Sequence, residues 1–288
     1  DSGSKEAPIR YVAAAGEKPI ISGGRPIDGW KKQGDGPIWT TTVPSVKSGQ
    51  WYFRQLFIDG RRCTPARTPN HDFFRSAGPG VPYKDRGAAR RDPKTKISIH
   101  YQGDDLKRWS NLDDAIVVVY HSWTASRHRI KSLDTEAKLV EFTAPSGWPM
   151  GYWDKNQRYY VEFVREGLDA PGEWYLDRGT GQLSYYPLPG QDMTKVRAVA
   201  PEGEELLRLE GDPAAGKFVD HLTFEGLSFQ YTGWTMPEAE TVDGQAAAGL
   251  KTATVYCRGA RHCQFQRCEI AHTGGYALWL QLGCKDNL

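Results

Sequence analysis

The sequence predicts an all-β protein: a parallel β-helix, or solenoid, interrupted by an antiparallel body of sandwich or barrel type. Three observations carry this. The first is composition: 31 Gly, 18 Pro, 10 Trp and 14 Tyr in 288 residues favour short strands and turns over helices. The second is a repeat in the last quarter of the chain. The third is the loss of that repeat through the middle.

Residues 1–26 read as the start of the solenoid. "GEKPIISG" (16–23) resembles "GEELLRLEG" (203–211), as if coil sequence stopped near residue 26 and resumed near 200. Residues 27–200 read as an inserted β-rich domain. Longer strands appear there, in "WYFRQLFIDGRR" (51–62), "DAIVVVY" (114–120), "RIKSLD" (129–134), "KLVEFTAP" (138–145) and "RYYVEFV" (158–164). "GEWYLDRGTGQLSYYP" (172–187) has the form of a hairpin around "DRGTG". The basic run "KDRGAARRDPKTK" (84–96) reads as a solvated loop.

Residues 201–288 read as parallel coils. "LTFEGLSF" (222–229) laid over "CQFQRCEI" (263–270) matches Leu222 with Cys263, Phe224 with Phe265, Leu227 with Cys268 and Phe229 with Ile270. A second alignment, 25 residues apart, sets Val255 against Leu280, Cys257 against Leu282 and Cys263 against Leu288. Short alternating strands at a period in the low twenties are what stacked coils require. The chain stops at Leu288 in mid-pattern, so the remaining C-terminal coils are expected beyond it. The open final coil, with Leu280, Leu282 and Leu288, is expected to favour end-to-end self-association.

Charge and cysteines exclude several classes. With 37 basic and 35 acidic residues, nothing points to nucleic acid, and no run approaches the ~18 apolar residues of a membrane span. Five Cys are odd in number and clustered, unlike a disulfide framework. Cys263 and Cys268, with His262 and His272 nearby, have a zinc-like spacing, but their place on the inward face of the repeat favours buried apolar thiols. No metal and no cofactor are expected.

"EAPIRYVAAAGEKPIISGG", "RQLFIDGRRCTPARTPN", "RYYVEFVREGLDAPGEWYLDRGTGQLSYYPLPGQDM", "HLTFEGLSFQYTGW" and "AHTGGYALWL" together resemble glycoside hydrolase family 141 proteins. The resemblance implies a right-handed parallel β-helix of the pectin-lyase-like fold carrying that family's insertion domain. It also implies secreted or periplasmic enzymes that degrade plant or algal polysaccharide, with fucosidase and xylanase activities among relatives. The catalytic acids it implies lie on coils beyond this chain, so the fragment alone is expected to be inactive. A polysaccharide lyase and a non-catalytic carbohydrate-binding solenoid are the alternatives. The first lacks the acidic cluster that calcium needs, and the second would bind without turnover.

Glycoside hydrolysis needs two carboxyl groups flanking the scissile bond. Within the chain the candidates are Asp243, in the long loop 231–247, and Glu269, outward-facing between Cys268 and Ile270, with His272 as a proton-transfer group. Trp234, Tyr276 and Trp279 are candidate stacking platforms for a sugar ring, and Arg67 and Asn70 could meet an acidic sugar. Each has an ordinary alternative: surface acid, corner histidine, core aromatic or loop hydrogen bond.

Overall fold

The computed structural model describes residues 1–236, the backbone of 242–244, and 250–288. It is all-β, with strands in two kinds of sheet.

The first kind is parallel. Ile9–Val12, Leu222–Glu225 and Gln264–Gln266 form one three-stranded sheet, and Ile20–Ser22, Ser228–Gln230 and Glu269–Ala271 form a second. Leu207–Glu210, Ala253–Arg258 and Tyr276–Leu280 form a third, while Val219–Asp220 pairs with Ala260–Arg261. The register is the one read from the alternating segments: Phe224 lies beside Phe265 and Phe229 beside Ile270. Inward residues stack, Tyr11 on Phe224 at 5.1 Å and Phe224 on Phe265 at 5.0 Å between ring centroids. On the inward face the register places like residues above like, Tyr11, Phe224 and Phe265 in one column and Ile21, Phe229 and Ile270 in another.

The corners repeat as faithfully as the strands. His221 (φ 53°) recurs as His262 (φ 52°), Gly226 (φ 70°) as Arg267 (φ 52°) and Tyr231 (φ 60°) as His272 (φ 55°). A left-handed residue turns the chain sharply at the end of a strand. Its cost in side-chain clash is offset here by stacking: His221 lies on His262 at 4.9 Å and Tyr231 on His272 at 4.8 Å.

The 25-residue alignment needs correction. Val255 pairs with Leu278 and Cys257 with Leu280, two residues short of the expected partners, and Leu288 hydrogen-bonds on both sides of Gln264 through Cys263 and Phe265. Val255 and Cys257 keep their expected faces, because strands repeat every two residues, but Leu288 lies beside Gln264 rather than Cys263, a slip of one that turns it to the other face. The likeness of 16–23 to 203–211 also fails as an equivalence, since Ile20–Ser22 pairs with Ser228–Gln230 whereas Leu207–Glu210 pairs with Ala253–Arg258.

The second kind of sheet is almost wholly antiparallel and belongs to the middle of the chain. Gly24–Ile27 runs antiparallel to Ala198–Pro201, so the chain leaves the parallel region and returns to it through adjacent strands. Between them lie eight strands of a nine-stranded sheet, the ninth being Val242–Gly244 from beyond residue 201; its main path starts at Phe74–Arg75 and ends at Gly78–Pro79. Three residues span at most about 11 Å, so the two edges of this sheet lie near each other. The sheet curls towards a barrel but is not closed by a ladder among the described residues.

An interior strand, Ile116–Tyr120, explains the unbroken apolar run. Ile116 and Val118 enter a core with Leu56, Trp174 and Tyr185; Val117 and Val119 enter another with Tyr159, Phe142 and Ile99. Both faces are buried, so alternation is lost. The hairpin of 172–187 forms as expected, Trp174 opposite Tyr185. Two expectations fail: 51–62 contributes only the short strands Phe57–Ile58 and Arg61–Arg62, and 84–96 is not a plain loop. Asp85 caps a helix over Arg86–Arg91 by accepting from Gly87 and Ala88, and Pro93–Lys96 makes a further 3-10 turn.

Candidate functional site

A cleft of about 710 Å³ opens where the antiparallel sheets meet the parallel region. Ile116, Tyr120, Ala125, Arg127 and Glu162 come from the curled sheet, and Trp234 and Gly274 from the segments that follow the second parallel sheet. Gln55 joins the two parts, since its amide nitrogen donates to the Trp234 carbonyl and its amide oxygen accepts from the Trp234 N–H, both at 3.2 Å. Arg62 adds a hydrogen bond to the Thr273 carbonyl at 2.8 Å. Gly274 sits so close to the Gly233 backbone that a Cβ on it would lie 2.2 Å from the Gly233 carbonyl carbon. Only glycine allows that approach.

One wall holds a chain of hydrogen bonds whose direction the donors dictate. The Gly151 N–H occupies the Gln157 oxygen, so the Gln157 nitrogen donates to His121 Nδ1 at 3.0 Å. His121 Nε2 then donates to Ser126 Oγ (2.8 Å), Ser126 donates to His128 Nε2 (2.7 Å), and His128 Nδ1 donates to the Ala144 carbonyl. Every link is filled with both imidazoles neutral. Burial takes His128 from its ordinary 6.5 down to about 3.

Charge in the cleft is uneven. Arg54, Arg62, Arg127 and Arg158 line it against the carboxylate of Glu162. Glu162 lies 3.7 Å from Arg127 Nε. Burial pushes the carboxyl up, against the pull of Arg127, Arg54 and Arg67. Cys63, also in the lining, is no nucleophile: burial raises its thiol to about 12. At the rim, Trp123 is 53% exposed and clusters with Trp153 (4.7 Å) and Trp148 (6.2 Å).

A family model, the GH141 insertion domain, matches residues 36–188, more than half of the chain. The chain belongs to the GH141 family. A solved structure described as a glycoside hydrolase resembles it with a TM-score of 0.71 at 21% identity, over 95% of this chain and 51% of that one. The two share a fold, and this chain spans about half the length of that relative. The complex of XylC with xylose matches at 14% identity and a TM-score of 0.35, over 93% of this chain and 32% of that one, too distant to carry an argument. No curated protein matches the sequence.

The expected site residues of this GH141 chain do not converge. Trp234 lines the cleft. Tyr276 and Trp279 lie elsewhere, 5.4 Å apart on the Tyr276–Leu280 strand, with Tyr256 5.8 Å from Trp279. Arg67 donates to the Pro69 and Asp72 carbonyls and covers the Tyr160 ring at 4.0 Å, and Asn70 donates to Asp169 at 2.7 Å; both hold a loop. Glu269 accepts from Ser228 and Gln230. His272 lies on Tyr231 and against Phe57, and burial lowers its pKa. The backbone of Asp243 pairs with Ser126 beside the cleft, while its side chain lies outside what the structure describes.

The thiols of Cys263 and Cys268 donate to backbone carbonyls of Val219 and Phe224, among others, as expected for packed cysteines. Asp220, His221 and His262 bring cation-ligating atoms within 4.8 Å of one another, the two imidazoles being stacked at 4.9 Å. Sequence reading missed Arg54, His121, Trp123 and Glu162. An arginine two residues before the buried run "LFI", and a glutamate inside the strand "RYYVE", are the traces it left.

Proposed function

We propose that this chain is the glycan-binding part of a polysaccharide-degrading glycoside hydrolase, acting on O-glycosyl bonds of plant or algal polysaccharide in the manner of a fucosidase or xylanase. In this reading residues 1–26 and 201–288 are coils of a right-handed parallel β-helix, and 27–200 is the insertion domain mounted on it. Secretion or export to the periplasm belongs to the same reading. The parallel ladders and repeating left-handed corners support the solenoid, and the family match supports the insertion.

The observation that carries the proposal is the cleft at the junction, with indole rings at its rim (Trp123) and in its lining (Trp234). An indole face covers the apolar face of a pyranose while the ring hydroxyls stay in water. Glu162 is the carboxyl placed to act there, and its raised pKa is what a proton donor to a leaving sugar oxygen needs. Hydrolysis requires a second carboxyl some 5–9.5 Å away.

Affinity electrophoresis of the purified chain in gels cast with xylan, pectic and algal polysaccharides tests this. Retardation in at least one gel is expected. Trp234→Ala should weaken it about fivefold or more, for roughly 1 kcal/mol of stacking. Free migration in every gel would refute a glycan-binding role.

A further inference from the structure

Arg54 is the anomaly of the cleft. The residue is 6% exposed, and none of its three guanidinium nitrogens has a hydrogen-bond acceptor among the described residues. Around it are two rings, Tyr52 at 5.3 Å and Phe163 at 4.9 Å, and two further guanidiniums, Arg129 and Arg178, that repel it, while the nearby Asp114 carboxylate is held by Arg178 at 2.7 Å. The other lining arginines are engaged or wet. Arg62 donates to a carbonyl, Arg127 faces Glu162, and Arg158 is exposed over Phe73 and Tyr120.

A buried cation without an acceptor is among the costliest arrangements a fold can hold. Ring faces soften the cost without supplying acceptors. Glu162 also attracts Arg54, but it stands nearer Arg127. A guanidinium is a planar fork matched to a two-oxygen anion, and behind low-dielectric walls its charge reaches into the cleft unscreened.

We propose that the cleft selects an acidic sugar, whose carboxylate or sulfate group answers the charge of Arg54, with Arg158 meeting the same anion from the solvent side. This rests on the reading of the cleft as a glycan site and narrows it: a neutral chain such as xylan leaves Arg54 as it is, whereas a uronate or sulfated chain completes it. The indole rings bind the sugar face in either case, so stacking supplies contact and the arginines supply choice.

The experiment is calorimetric titration of the 288-residue chain with four probes: oligogalacturonate, the same oligomer fully methyl-esterified, a sulfated galactan oligosaccharide and a xylo-oligosaccharide. The acid, the sulfate ester or both should bind at least about tenfold tighter than the methyl ester and the xylan oligomer. Tight binding of only one assigns the anion as carboxylate or sulfate. Arg54→Met should reduce that preference to about twofold or less without lowering the melting temperature, because it removes an unpaired buried charge. Equal affinity for acid and methyl ester with no gain for the sulfate, or full preference retained by folded Arg54→Met, would overturn the proposal while leaving the glycan site standing. Failure of all four probes would overturn both. Should Arg54→Met not fold, the acid and the sulfate ester against the methyl ester and the xylan oligomer on the native chain decide: a preference for neither anion overturns the proposal.

Discussion

Ser126 stands between two imidazoles, accepting from one and donating to the other. Its removal leaves an N–H of His121 and a lone pair of His128 unanswered in a dry wall. Ser126→Ala is therefore expected to cost about 2 kcal/mol, read as a lowered denaturant midpoint. Acid should do the same from the other side. The His128 pKa is depressed in the fold to about 3 from 6.5, so its contribution is whole above 6.5 and drains away as pH falls towards 3. Melting temperatures across that window should fall with acid, and more shallowly in His128→Gln. None of this was legible in the sequence. His121, Ser126 and His128 are spaced like any polar residues near a strand, and the ends of their chain are closed by distant groups, Gln157 at His121 and the Ala144 carbonyl at His128. Arg54 and Glu162 were hidden for the same reason, since burial by distant segments leaves no local mark.

Strands were more legible than the side chains they carry. "DAIVVVY" and "RYYVEFV" announce themselves by β-branched and aromatic content, and their antiparallel pairing puts Val117 beside Val161. The parallel ladders were legible because like stacks on like. The spacing was harder: equivalent strand residues lie 41 apart between Phe224 and Phe265 but 23 apart between Val255 and Leu278. Excursions at corners lengthen one turn of the chain without disturbing the next, so a sequence period is an average over unequal turns. Where two such turns touch, the backbone tolerates no side chain. Gly274→Ala would drive a methyl into the Gly233 carbonyl. The expected loss is about 1–3 kcal/mol, measured by thermal melting, with weaker glycan binding because Trp234 follows Gly233 directly.

At the scale of the molecule, binding and turnover are expected to separate. Acid–base assistance is worth on the order of 10²–10⁴ in rate only when donor and partner are set together. Glu162 is the carboxylate among the described lining residues of the cleft. The 288-residue chain should thus retain polysaccharide while releasing no reducing sugar above background from xylan or pectic side chains. Sugar release abolished by Asp243→Asn would show that the second carboxyl is already in place.

The join between the two kinds of sheet has a consequence for how such a molecule can be edited. Ile27 sits directly opposite Ala198 in an antiparallel ladder. Topologically, then, everything from 28 to 197 is the loop of a single hairpin, and a two-residue turn such as Asn-Gly would close it in the same register. The body enters and leaves through one pair of strands, yet it is tied down elsewhere too: Phe57–Ile58 extends the same ladder, Gln55 holds the Trp234 backbone and Ser126 pairs with Asp243, so excising it would leave those partners unanswered.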